Sequence, residues 1–99
     1  MSKRVVITGR GTITAFGETW EDNKTKICEL KNAVRHMPEW ENIDGLITKL
    51  AAPCDNFTRP ESYTRKQTRS MSRVSLMATR ASELALTEAG LIDDKEFLK

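Results

Sequence analysis

Val5-Val6-Ile7-Thr8-Gly9-Arg10-Gly11 is the stretch that decides the fold of this 99-residue chain. Three β-branched residues in a row, with no polar alternation, predict a strand covered on both faces, as in the centre of a layered α/β sheet. Such a strand cannot stand alone. Its place near the N-terminus therefore predicts a larger structure in which this segment forms the innermost layer.

The glycines that follow invite a nucleotide-binding reading, and the spacing argues against it. A dinucleotide fingerprint needs G-x-G-x-x-G on the turn from strand to helix, so that the backbone can approach a pyrophosphate. Here Thr14 stands where the third glycine belongs. The strand-like Thr12-Ile13-Thr14 and the turn Ala15-Phe16-Gly17 then delay the helix to about Trp20.

Thr19 followed by Asp22 resembles a capping box with Asp in place of Glu, and predicts a helix from Trp20 to about Leu30 or Lys31. Trp20, Ile27 and Leu30 fall on one stripe at helical spacing, with Asp22 and Lys26 as an outward i,i+4 pair. Cys28, beside that stripe, reads as a structural thiol, because no His or basic cluster is adjacent in sequence to lower its pKa.

Composition sets the outer bounds. Only 38% of residues are hydrophobic, 30% are charged and the mean hydropathy is −0.50, so any core is thin. The longest aliphatic run falls far short of the roughly 20 apolar residues of a membrane span, and no signal-peptide hydrophobic region is present. The expectation is a cytoplasmic protein. Cys28 and Cys54 lack metal-ligand spacing and read as reduced thiols. No metal or cofactor is expected.

Between Asn32 and Pro60 the pattern breaks up. Pro38, Gly45, Pro53 and Pro60 punctuate it, Trp40 and Phe57 are expected to anchor an irregular excursion, and one short strand is expected within residues 45–52. His36, the single histidine, reads as a surface or packing residue, since no carboxylate or serine is spaced in sequence to orient it.

The last element is clearer. Ser70 or Ser72 caps a helix running to Ala89, with Gly90 as its left-handed stop. Leu91 and Ile92 then lead into a charged tail. If the helical phase extends back to Arg65, then Arg65, Lys66, Arg69, Arg73 and Arg80 share an arc of about 100°. The opposite face carries Met71, Val74, Ala78, Ala81, Ala85 and Ala89, small enough for close approach of another element. Leu76 falls within the basic arc, a sign that part of that face is also buried. From Arg59 to Arg80, six cations face the single acid Glu61, a balance of +5, while the whole chain carries +2 and the remainder therefore −3. Such an island suits an anionic partner, or else a solvated helix face.

Lys3-Arg4-Val5-Val6-Ile7-Thr8-Gly9-Arg10-Gly11, Ala15-Phe16-Gly17 with its Trp20 helix, Arg65-Lys66-Gln67-Thr68-Arg69-Ser70-Met71-Ser72-Arg73 and the close from Ala85 to Leu91 together resemble the N-terminus of the β-ketoacyl-acyl carrier protein synthases. These are the condensing enzymes of fatty acid and polyketide synthesis. The resemblance covers nearly the whole chain in order. The stretch from Asn32 to Phe57 is similar to a synthase II-like branch associated with aryl polyene pathways.

The resemblance implies an α/β fold of the thiolase-like kind, layered α-β-α-β-α and incomplete in this chain. Residues 1–92 would form the N-terminal segment and 93–99 a charged tail or the start of the next element. It implies a decarboxylative Claisen condensation with malonyl-carrier protein, run by one cysteine and two histidines. Cys28, Cys54 and His36 do not match those motifs, so no catalytic residue is assigned here and the segment alone is expected to be inactive. It further implies a basic patch for acyl carrier protein: Lys66 and Arg69 match the family's basic positions, and Arg65 and Arg73 widen the patch. Ser70 stands where relatives often carry another cation. The parent enzyme is expected to be a homo-oligomer or heterodimer. The alternative is a stand-alone basic module for an acidic protein partner. Nucleic acid is disfavoured, because Tyr63 is the only aromatic near the patch available for base stacking. An isolated segment with an unpaired inner strand is expected to oligomerise, to be partly disordered, or both.

Overall fold

The computed structural model describes residues 2–96. Their order is α1 (Trp20–Cys28), β1 (Arg35–His36), a 3₁₀ turn (Pro38–Trp40), β2 (Leu50–Ala51), α2 (Arg65–Thr68) and α3 (Arg73–Ala89). Among the described residues the regular structure is mostly helical, and the one sheet is the antiparallel pair β1–β2, with Arg35 opposite Ala51 and His36 opposite Leu50.

The expected strand at residues 5–8 has no ladder partner among the described residues. Its backbone is open, and Val5, Val6 and Ile7 are 93%, 67% and 92% exposed. The correction has a physical cause: a strand meant to be covered on both faces finds too little chain here to cover it. Directly after it, the chain presses on α3. A Cβ on Gly9 would collide with the Ala85 carbonyl, and one on Gly11 with that of Ala81. The half-buried Ala81, Ala85 and Ala89 are therefore the bed for the glycine segment. Earlier on the same face the expectation fails, since Val74 is 76% exposed and Ala78 is also open.

Residues 14–17 close a tight turn in which Thr14 and Gly17 exchange both backbone hydrogen bonds at 3.0 Å. Gly17 has φ +138°, a region that side chains avoid. Thr19 then caps α1, its Oγ1 accepting from the Asp22 N–H at 3.1 Å. At the other end Leu30 occupies the left-handed region at φ 58°, while the Lys31 N–H reaches the Lys26 carbonyl. That Schellman arrangement stops the helix proper at Cys28, short of Leu30. Ile27 and Leu30 are exposed and Trp20 is half-buried, so the expected stripe is uncovered along most of its length.

Asn23 is the hub that binds turn to helix. Buried at 4% exposure, it donates through Nδ2 to the Thr19 carbonyl at 2.8 Å and Thr12 Oγ1 at 3.2 Å, and accepts from Thr14 Oγ1. Its side chain thereby links two threonine hydroxyls of the turn to the backbone that opens α1.

The excursion from residue 32 to 60 folds back on β1–β2. Phe57 and Met37 are the buried hydrophobic residues among those described, and Trp40 is only half-buried. Of the strand expected within residues 45–52, only Leu50–Ala51 forms. The core is as thin as the composition implied. The radius of gyration is 17.6 Å, against about 13 Å for a compact domain of 100 residues.

Candidate functional site

The site is built on two consecutive helix starts. Thr64 opens α2 with a complete capping box: Thr64 Oγ1 accepts from the Gln67 N–H at 3.2 Å, and Gln67 Oε1 accepts from the Thr64 N–H at 3.0 Å. The helical phase does not run on from Arg65 into the long helix. Ser72 opens α3 anew, its Oγ accepting from the Ser75 N–H, and Ser70 has no capping role. Residues 69–72 make the break, so the single basic arc is corrected to a one-turn helix followed by a second axis. Gly90, at φ 75°, ends α3 with a hydrogen bond from the Leu91 N–H to the Leu86 carbonyl.

This break divides the cations into two groups. Arg65, Lys66 and Arg69 are exposed on α2 and its C-cap and make no ion pair among the described residues. Arg73 is exposed too but committed: Nη2 donates to the Cys54 carbonyl at 2.6 Å and the Phe57 carbonyl at 3.2 Å, with the guanidinium 5.4 Å from the Phe57 ring centroid. It fastens the excursion to the start of α3. Arg80 is balanced by Glu83 at 3.2 Å and Glu18 at 3.7 Å. Arg59 donates through Nη1 to Thr68 Oγ1 at 3.3 Å. Leu76, in the same stretch, is half-buried as its sequence position suggested.

Tyr63, immediately before the Thr64 cap, donates its hydroxyl to Glu83 Oε2 on α3. Half-burial first, and the Glu83 carboxylate second, push the Tyr63 phenol up to about 12. It therefore remains a donor at neutral pH. A groove of about 600 Å³ opens beside this contact, lined by Tyr63, Thr68, Met71, Leu86 and Ile92 among others. Nothing in the sequence around Tyr63 signals this bond, because its partner lies 20 residues away.

The other candidate residues lie apart. His36 is exposed, as expected, but it does have a carboxylate companion, contrary to the sequence reading: Nε2 lies 2.6 Å from Glu41 Oε1, brought close by the 3₁₀ turn between them. Lys49 donates to Glu41 Oε2 at 2.9 Å, and Arg35 pairs with Asp55 at 2.7 Å. The hydrogen bonds from Lys49 and then His36 hold the Glu41 carboxyl below the usual carboxylate value of 4.5. Cys28 is exposed and Cys54 half-buried, both as free thiols. No group of three His, Cys, Asp or Glu that could hold a metal ion occurs among the described residues. Nor is any helix among them long and apolar enough to cross a membrane.

Residues 2–97 match the family described as "Beta-ketoacyl synthase, N-terminal domain". The chain is 29% identical over 90 residues to a 3-oxoacyl-[acyl-carrier-protein] synthase 2 of Synechocystis, covering 91% of this chain and 21% of that protein. The crystal structure of a Beta-ketoacyl synthase from Burkholderia phymatum superposes with a TM-score of 0.84 at 50% identity, covering 95% of this chain and 23% of that one. The chain thus spans about a fifth of the length of these relatives. The match over residues 2–97 settles the family: this chain belongs to the beta-ketoacyl synthases, whose N-terminal domain it matches.

Proposed function

We propose that this chain is the leading segment of a 3-oxoacyl-acyl carrier protein synthase that extends acyl chains by decarboxylative condensation with malonyl-carrier protein in the cytoplasm. In this reading the cysteine and the two histidines of the reaction come from outside these residues, and the segment supplies the carrier-docking surface. Arg65, Lys66 and Arg69 meet the acidic carrier. Arg73 adds charge at the edge while its guanidinium holds the excursion in place. The observation that carries the reading is the set of three exposed cations on one short turn with no internal acid to neutralise them, in a segment matched to this family. An unopposed patch of this kind raises encounter rates with an oppositely charged partner, by about tenfold or more at low salt.

The test is Lys66→Glu combined with Arg69→Glu in a complete synthase bearing this segment. The rate with carrier-linked acyl substrate should fall by about tenfold at low ionic strength and converge on the unmodified rate as salt screens the patch. An unchanged rate at low salt overturns the docking assignment. A stand-alone module has no comparable support, since the extended shape leaves the inner strand uncovered.

A further inference from the structure

We infer that Tyr63 and Glu83 are positioning residues for the docking turn, acting by holding the three cations of α2 in a fixed direction relative to α3. The inference deepens the docking reading and rests on it. Four helical residues cannot sustain themselves, because nucleating a turn fixes several dihedral angles for each hydrogen bond gained. The capping box stabilises the turn internally but does not aim it. Aim requires anchors outside the turn, and the structure shows two. On one side Thr68, 7% exposed, accepts from Arg59 Nη1 and donates to the Thr64 carbonyl. On the other, Tyr63 donates across 20 residues to Glu83.

Glu83 is itself held. Its Oε1 receives Arg80 Nη1 at 3.2 Å, and Arg80 Nε faces Glu18 at 3.7 Å, just before the Thr19 cap of α1. A chain of polar contacts therefore runs from the residue before α2, across α3, to the start of α1. Arg80, part of the basic island in the sequence, belongs to this chain. The Tyr63 hydroxyl keeps its proton at physiological pH, so the anchor is constant where an enzyme of this class works.

The experiment uses Tyr63→Phe and Glu83→Gln in a complete synthase bearing this segment. Steady-state kinetics are measured with an acyl-carrier substrate and with the same acyl group on a small thiol. Tyr63→Phe removes one hydroxyl and no charge. The expected result is a several-fold higher KM for the carrier-linked substrate, with kcat and the small-thiol reaction unchanged. The slope of rate against salt should also be unchanged, since all three cations remain. Glu83→Gln keeps an acceptor for Tyr63 and should stay closer to the unmodified KM than Tyr63→Phe. Equal KM values for Tyr63→Phe and the unmodified enzyme overturn the positioning role. So does a matched loss with both substrates, which marks a general structural defect. If Lys66→Glu with Arg69→Glu is also without effect, the docking reading itself falls; if that pair slows the reaction while Tyr63→Phe does not, only the positioning role is lost.

Discussion

At the scale of single residues, Asn23 and Gly11 carry more of the fold than their types suggest. Asn23 sits almost wholly out of solvent and ties Thr12, Thr14 and Thr19 of the turn to one side chain. Asn23→Ala removes these side-chain hydrogen bonds from a part-buried site, each worth about 0.5–1.5 kcal/mol net. The denaturant midpoint of a complete synthase bearing the substitution should fall accordingly. Gly11→Ala places a methyl group against the Ala81 carbonyl, where α3 must shift to admit it. Overpacking of this kind costs about 1–3 kcal/mol, so its midpoint should fall as well. Gly45→Ala is the control: its φ of +81° carries local strain, but no neighbour lies within 4 Å. Neither Asn23 nor the depth of the Gly11 contact was legible in the sequence. Asn23 depends on the turn that surrounds it, and Gly11 on a helix 70 residues away.

At the scale of elements, what could be read ahead was whatever the chain specifies locally. Thr19, the pair Ser70 or Ser72, and Gly90 announce their helix ends within four residues, and the structure uses Thr19, Ser72 and Gly90. The β1–β2 pair has two residues per strand and no periodicity to detect, so only its folded partners define it. The basic island was legible as composition. Its division into free and committed cations was not, because the groups that occupy Arg73 and Arg80 lie in distant segments. The loop between the strands has a pH dependence of its own. Glu41 titrates below its ordinary 4.5, so its ties to Lys49 and His36 contribute stability that is complete above that value and is lost as pH falls through the lowered one. Acid titration followed by amide exchange across residues 36–49 should show loosening only below about pH 4.5, and Glu41→Gln should abolish that step. Tyr63 gives the opposite sign. Its raised value means stability that is intact below the ordinary 10.0 and lost as pH rises through about 12.

At the scale of the whole molecule, apolar side chains on Val5, Ile7, Leu30 and Ile47 are each more than 90% exposed, while only Met37 and Phe57 are buried hydrophobic residues among those described. That balance cannot offset the entropy of ordering so many residues. Purified alone, the 99-residue chain should melt without a sharp transition and self-associate as its concentration rises. Light scattering and calorimetry would read both, and a monodisperse monomer with a cooperative transition would contradict the expectation. α3 links the two ends of this open body. Its start follows the α2 turn after the break at residues 69–72, and its alanines seat Gly9 and Gly11 with no side chain as spacer. From Ser72 to Ala85 the helical rise amounts to about 20 Å, set by backbone geometry alone. The helix is thus a ruler between the α2 turn and the seat of the two glycines. Inserting one residue midway would swing the alanine bed through about 100° and unseat both glycines together, leaving the α2 turn itself intact.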